Sequence, residues 1–564
     1  MASPRHSIVA SLPQELLAHI FTMLKHVMAA DAAEGDGILA DEFQNLYSFG
    51  WTHVVQVCRE WRDVAHQTAA LWCDIDVPHP SYPRLRGYPS TGAFIQRLQV
   101  ILPRTCGSAL QLSFHSLELL SKASLQDLFK DPSRIRSLQV PKPFLVNNLH
   151  DLEPRLDVLN LPMPLLEELD VRSKLPIRPP PSPPPVSVDF SDARYPRLRS
   201  LRILRINFTS VTALRNLHVL DLRLCTFDNE LASGSDLLKL LDASPNLQVL
   251  CLHHVLSQLK MDLPSAPLKD LTALRKLDLF DAPDKISLFL SWFSFRPDIA
   301  IHLGTPTEPI DNLADLVAAF NAPLPADRSR FPMLAAADFG SADADATLTL
   351  TARGPSDPSK PDDDDARLGA LTLALPRADV ASHLCTLGAL LPAFRSVFAG
   401  APLRRLVLSG DFRSVAAVPL RALLLDFPHV RSLRCASLGT ALPAICALGL
   451  PLGAPDSTGS ASDPLVAPTA LGPARRFAVP HLGELDFDAL DWGLGTMEAL
   501  TAVLRARTEG GARRLGRLRM NLCAEGEVEG EDARASVRAY RGQIEPTYVD
   551  KLEFQVAVYE YFLD

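Results

Sequence analysis

The chain has 564 residues, 47% of them hydrophobic, so length alone suggests about three or four domains unless a repeat removes that need. Lys+Arg 56 against Asp+Glu 65 leaves a net charge of −9, which argues against general affinity for nucleic acid or an anionic membrane. The nine cysteines stand singly with no C-x-x-C pair, which excludes zinc-ribbon spacing and any visible disulfide framework and fits a reducing cytoplasm or nucleus.

The N-terminal stretch carries Pro and charges where a signal peptide needs an unbroken apolar run, and no later stretch of about 18 apolar residues occurs. A first helix is predicted from Leu12 onward. Ser11 and Gln14 have capping-box spacing and Pro13 suits a first helical turn. Leu12, Leu16, Ile20 and Leu24 recur every fourth residue beside Leu17 and Phe21, giving an apolar face wide enough for two partners. Asp31 to Gly37 is an acidic, Gly-bearing segment expected to be a loop, followed by a short apolar segment around Phe43, Leu46, Tyr47 and Phe49. A second helix is expected with Val54, Val57, Cys58, Trp61, Val64 and Ala65 on one packed face, and Arg59, Arg62 and Asp63 off it.

These residues carry a resemblance. The order Leu12-Pro13, Glu15-Leu16-Leu17, Ile20-Phe21, then Val57-Cys58-Arg59, Trp61-Arg62 and Leu71-Trp72 is similar to the F-box-like domain abundant in fungi, over roughly residues 8–77. The resemblance implies a compact helical module that binds the Skp-type adapter of a cullin-RING ubiquitin ligase. Leu12, Pro13, Leu16, Ile20, Val57 and Trp61 match the family's motif, some for adapter contact and some for the module's own core. The connection from residue 25 to 53 is longer than the family's usual one. The plainer reading of the same segment is an amphipathic helical hairpin.

From about residue 107 a degenerate L-x-x-L-x-L recurs, in which the last two apolar residues share one face of a strand. Copies begin at 166, 198, 217, 247, 274, 368, 403, 430, 482, 515 and 549, with weaker ones at 135 and 334 and a further copy at Ile299-Ala-Ile301-His-Leu303. Most intervals are near 30 residues, and Leu237–Leu241, Leu313–Phe320 and Met497–Leu504 between them have helical spacing. The array resembles irregular leucine-rich repeats, each a strand followed by a helix. The predicted fold class is therefore α/β, a helical module over residues 1–80 followed by a leucine-rich-repeat solenoid over 81–564. An ordinary α/β domain with Leu-rich parallel strands is the alternative. Three insertions are expected: the Pro-rich 175–190, the acidic 353–366 with Asp362 to Asp365, and the Gly/Ser/Pro/Ala-rich 453–475.

No phosphate-binding glycine loop, dinucleotide fingerprint, zinc-helix motif or nucleophile elbow occurs, so no enzyme activity and no cofactor is expected. His253 and His254 are adjacent at a strand end, where neighbours point to opposite faces, and do not easily share a metal. Cys58 is expected in the core. The basic run Gly510–Arg519 is expected to pair with the acidic 525–532 rather than bind nucleic acid. Residues between the buried leucines should line a wall of mixed charge suited to a protein partner, with Asp221, Arg223, Lys276, Asp278, Arg405 and Asp486 as candidate target contacts. Taken with these features, the resemblance implies the substrate-recognition subunit of an SCF-type ubiquitin ligase. It would bind a Skp-type adapter and cullin complex at one end and a target protein at the other, with no nucleic-acid or membrane partner. The alternative is a leucine-rich scaffold that keeps an F-box-like fold without ligase duty.

Overall fold

A computed structural model of the chain describes residues 12–34, 50–77, 96, 98–114, 129–140, 158–171, 186–210, 215–227, 234–260, 269–294, 299–305, 310–324, 336–340, 347–353, 370–376, 387–399, 403–409, 415–436, 442–449, 479–491, 496–525 and, with gaps, 531–559. It is a mixed α/β protein with parallel sheets, and the chain divides into two compact units, Met1–Asp262 and Leu263–Asp564.

The first unit runs α1 (Gln14–Glu34), α2 (Val54–Val57), α3 (Arg59–Gln67), β1 (Asp74–Val77), β2 (Leu110–Phe114), β3 (Ile135–Val140), β4 (Glu168–Val171), β5 (Val186–Asp189), β6 (Ser200–Leu204), β7 (Ile206–Ser210), β8 (Val219–Arg223), β9 (Thr226–Phe227), α4 (Gly234–Asp242) and β10 (Val249–His253). Seven strands pair in parallel in the order β1-β2-β3-β4-β6-β8-β10. Their register turns the sequence motif into rows. Leu169, Leu201, Leu220 and Leu250 are successive partners, and Val171, Ile203, Leu222 and Leu252 form the next row. These residues are buried, as are Leu166, Leu198, Leu217 and Leu247 that open the motifs. Each such side chain contributes about 1.5–3 kcal/mol on leaving water, so three per strand hold the ladder in one register.

The backbone repeats as well. Arg205, Leu224 and His254 have left-handed φ of 58°, 51° and 54°. Each is the seventh residue after the leucine that opens its motif, at 198, 217 and 247. This turn swings the next residue, Ile206, Cys225 or Val255, back into the interior, where all three are buried. A second parallel ladder, β5-β7-β9, stacks Phe190, Phe208 and Phe227 at successive ring distances of 5.2 Å. Val186–Asp189 therefore ends the expected Pro-rich loop as a strand, while 172–185 lies outside the described residues.

The second unit runs β11 (Lys269–Asp270), β12 (Lys276–Phe280), α5 (Pro283–Leu290), β13 (Phe293–Ser294), β14 (Ala300–Gly304), α6 (Leu313–Asn321), β15 (Ala336–Gly340), β16 (Thr347–Arg353), β17 (Ala370–Pro376), α7 (Leu387–Val397), β18 (Arg405–Ser409), α8 (Ala417–Asp426), β19 (Ser432–Ala436), α9 (Leu442–Gly449), β20 (Glu484–Asp491), α10 (Thr496–Glu509), β21 (Leu515–Glu525) and β22 (Val549–Tyr559). The order in its sheet is β12-β14-β17-β16-β15-β18-β19-β20-β21-β22. All pairs are parallel except those of β16, which is antiparallel to both neighbours. A three-strand meander is thus inserted in reversed order, a departure from a simple succession of parallel strands. The copy at Ile299–Leu303 is β14, in register with β12 and β17. The three helices expected from spacing are α4, α6 and α10, and Asn312 caps α6 by accepting from the Asp315 amide at 2.9 Å. Helices α6 to α10 pack each on the next. The acidic 354–366 and the whole of 453–475 lie outside the described residues.

Phe280 and Gly304 are register partners on β12 and β14, and a Cβ on Gly304 would come within 2.4 Å of the Phe280 ring. Gly304→Ala is therefore expected to destabilise the chain by about 1–3 kcal/mol through overpacking, measured by urea denaturation. A variant as stable as the parent would show that the ring moves freely.

Candidate functional site

Helix α1 starts where the Pro13 carbonyl accepts from the amides of Leu16 and Leu17, both at 3.1 Å. Ser11 lies outside the described residues. The helix continues to Glu34, so Asp31 to Glu34, expected as a loop, are its last turn. Alanines at 29, 30, 32 and 33 have the highest helix propensity and carry the helix on toward Gly35 in the sequence.

At about 100° per residue, Leu16, Ile20, Met23 and Val27 fall within an arc of about 60°, and Leu17 and Phe21 sit roughly a third of a turn further round. The second pair is buried at 1% each, whereas Leu16, Ile20, Met23 and Val27 are 51%, 45%, 54% and 53% exposed. Phe21 rests on Trp61 of α3, ring centroids 5.1 Å apart. Val54, Val64, Ala65, Leu71 and Trp72 complete the small core, and the Trp72 indole donates to the Ala65 carbonyl at 2.7 Å. Lys25 ties the helix to the start of β1 by pairing with Asp74 at 2.6 Å and donating to the Leu71 carbonyl at 3.1 Å. The buried face is thus pinned, and the neighbouring face of large apolar side chains is left toward solvent.

The expected second helix is broken at Cys58, which is extended at φ −154° and separates α2 from α3. Cys58 is exposed rather than in the core. Its Sγ caps α3 by accepting from the Trp61 amide at 3.4 Å. Because the helix restarts there, Val54, Val64 and Ala65 are buried but Val57 is 60% exposed. Of the six predicted adapter residues, Pro13, Leu16, Ile20 and Val57 are exposed, and Leu12 and Trp61 are half-buried. Met23 and Val27 extend the same stripe, and continuing the four-residue spacing from Leu16 and Ile20 by a three-residue step would have found them.

The predicted target contacts are divided between the two units. Asp221 is buried and held by Arg223 at 2.9 Å, in the first unit. Asp278 pairs with His302 at 2.9 Å and with Lys276 at 3.8 Å. Arg405 and Asp486 line one groove in the second unit. Burial pushes the Asp486 carboxyl above its ordinary range against the pull of Arg434 and Arg519. Among the described residues no cluster of His, Cys, Asp or Glu could hold a metal ion, and no helix is long and apolar enough to cross a membrane.

The packing of α1 and α3 can be tested separately. Phe21→Ala should cost about 3–5 kcal/mol of stability and Ile20→Ala no more than about 0.5 kcal/mol, measured by chemical denaturation with tryptophan fluorescence. Comparable losses would mean that Ile20 is packed. His66 lies beside Trp72 at 5.9 Å, and burial, then Arg104 and Arg62, hold its pKa below the ordinary 6.5. Between that lowered pKa and 6.5 the unfolded chain binds more protons, so stability is lost as pH falls through this window. His66→Gln should flatten that part of a stability–pH profile, and an unchanged slope would remove His66 as its source.

No curated protein matches the chain. Residues 9–78 match the family model described as F-box-like, and this helical segment is an F-box-like domain.

Proposed function

We propose that this protein is the substrate-recognition subunit of an SCF-type cullin-RING ubiquitin ligase, acting in the cytoplasm or nucleus. F-box domains generally bind Skp-type adapters in cullin complexes, and here the module at residues 1–80 holds the adapter through Leu12, Pro13, Leu16, Ile20, Val57 and Trp61. The observation that carries this reading is the F-box-like match over a segment whose first helix buries Leu17 and Phe21 while leaving Leu16, Ile20, Met23 and Val27 exposed. An apolar helix face of this kind is what a partner groove recognises.

Residues 81–564 act as an irregular leucine-rich-repeat solenoid whose charged wall holds a target protein. The support is the in-register burial of the leucine motif on successive parallel strands and the helices between them. The chain forms no covalent bond itself and is not an enzyme. It raises the local concentration of a target lysine near a ubiquitin-conjugating enzyme carried by other subunits.

Tagged protein expressed in its native cells should co-purify with a Skp-type adapter and a cullin. Leu16→Ala combined with Ile20→Ala should reduce that association at least tenfold at unchanged melting temperature. Failure of the parent chain to bring down any adapter would leave a scaffold without ligase duty. Undiminished association of the double variant would place the interface elsewhere.

A further inference from the structure

Of the acidic 525–532 expected to pair with the basic run Gly510–Arg519, residues 526–530 and 532 lie outside the described residues. Arg514 pairs with Asp550 at 3.1 Å and Arg517 with Glu553 at 2.7 Å, both on β22. Arg513 and Arg519 line a larger feature.

Strands β18 to β21 stand in register, so equivalent motif positions form rows across them. Directly after the first apolar residue come Arg404, Arg431, Gly483 and Gly516, joined by amide-to-carbonyl bonds of 2.6, 2.8 and 2.7 Å. The next row is Arg405, Ser432, Glu484 and Arg517, and two residues on stand Val407, Arg434, Asp486 and Arg519. The two glycines leave no side chains where the surrounding rows carry guanidinium groups. The result is a groove of about 820 Å³ lined, among the described residues, by seven arginines and two carboxylates, Glu484 and Asp486. A second hollow of about 500 Å³ continues it past Arg517 and Arg519.

Arg434 is held by Asp486 at 3.7 Å and by Asp488, and Arg517 by Glu553. Among the described residues no ion pair joins a carboxylate to Arg404, Arg405, Arg431 or Arg513, while Arg519 stands between Asp486 and Glu553 in the ladder and attracts Asp486 and Asp488. Four of these five are exposed and Arg519 is half-exposed. Cations gathered in one hollow repel each other, and their planar forks match carboxylates in two-point geometry. The bare backbone at Gly483 and Gly516 lets another main chain come close.

We propose that this groove docks an Asp/Glu-rich segment of a partner protein. The assignment rests on the reading of the repeats as a target-holding wall and supplies the chemistry of what they hold. A nucleic acid fits less well: among the described residues that line the groove none is aromatic, and the hollow that continues it adds Phe554 alone as a ring for a base to stack on. The row Arg434–Asp486–Arg519–Glu553 also alternates in sign, which would set carboxylates against a continuous phosphate backbone.

The test uses the full-length chain and fluorescein-labelled 12-residue probes read by anisotropy. The probes are a Glu/Asp-rich peptide, its Gln/Asn counterpart, a phosphoserine counterpart lacking Glu and Asp, and a single-stranded RNA. The acidic peptide should bind, weaken with added salt, and lose at least tenfold in affinity in Arg405→Ala/Arg519→Ala, while Arg215→Ala in the first unit changes nothing. Gly516→Val, whose Cβ would meet only ordinary contact at 3.6 Å, should block the groove at unchanged melting temperature. Equal binding of the neutral peptide, binding confined to the phosphopeptide or the RNA, or full affinity in both variants would overturn the assignment. Adapter co-purification is read separately, so loss of peptide binding with the adapter retained counts against the groove alone. Loss of the adapter with peptide binding retained counts against the ligase reading alone.

Discussion

The in-register parallel ladder is the constraint on which most of the molecule depends. Each strand of the motif brings two apolar residues onto the buried face and a third just before it, and register makes each a neighbour of its equivalents about 4.8 Å away. A slip by one residue would carry Leu201, Leu220 and Leu250 out of the interior together. The same register governs the polar face, where equivalent charges become neighbours whether or not that is favourable. Arg202 therefore reaches Glu168 and Asp170 on the adjacent strand at 3.2 and 3.6 Å, and Arg434 reaches Asp486. Where the sequence places like charges in one row, as with Arg404 and Arg431, the described neighbours in that row, Gly483 and Gly516, carry no side chain to neutralise them.

The F-box-like segment works by the opposite arrangement. Its core is small, and α1 is held by two buried side chains on one face and by Lys25 near its middle. A helix with so wide an apolar circumference would ordinarily be wrapped on more sides. Here α2 ends at Cys58 and α3 restarts with a thiol cap, which leaves Val57 outward instead of in a continuous packed face. Exposure of Leu16, Ile20, Met23 and Val27 is thus a consequence of how few elements the module contains, and it is the property a docking partner would use.

Much of this was legible in the sequence because it is local. The leucine motif named its own strands, the helical spacings named α4, α6 and α10, and the Leu-Pro and Cys-Arg-x-Trp-Arg residues named the module at 9–78. What was not legible depends on distant pairing. Thr347–Arg353 alternates as a half-buried strand should, yet nothing in it states that it lies antiparallel between β15 and β17. Nor does the Pro-rich stretch state that Val186–Asp189 will add to β7. Cys58 was misplaced because a periodic apolar pattern continues through it, while an extended residue with a side-chain acceptor breaks the helix without breaking the pattern.

The charge of the chain shows the same distinction between sequence distance and sheet distance. A net −9 over 564 residues describes solubility and long-range steering, and it is silent about any one surface. In sequence the run Arg513–Arg519 lies closest to the acidic residues that follow it. In a parallel sheet, residues two apart on one strand share a face and can pair, as Asp221 and Arg223 do, and equivalent motif positions on neighbouring strands stand side by side across the ladder. Arg514 and Arg517 accordingly find Asp550 and Glu553, which are 36 positions further on. Pairing in such an array is decided within a strand and between neighbouring strands, not by the total charge, and an overall acidic protein can for that reason carry a concentrated arginine groove.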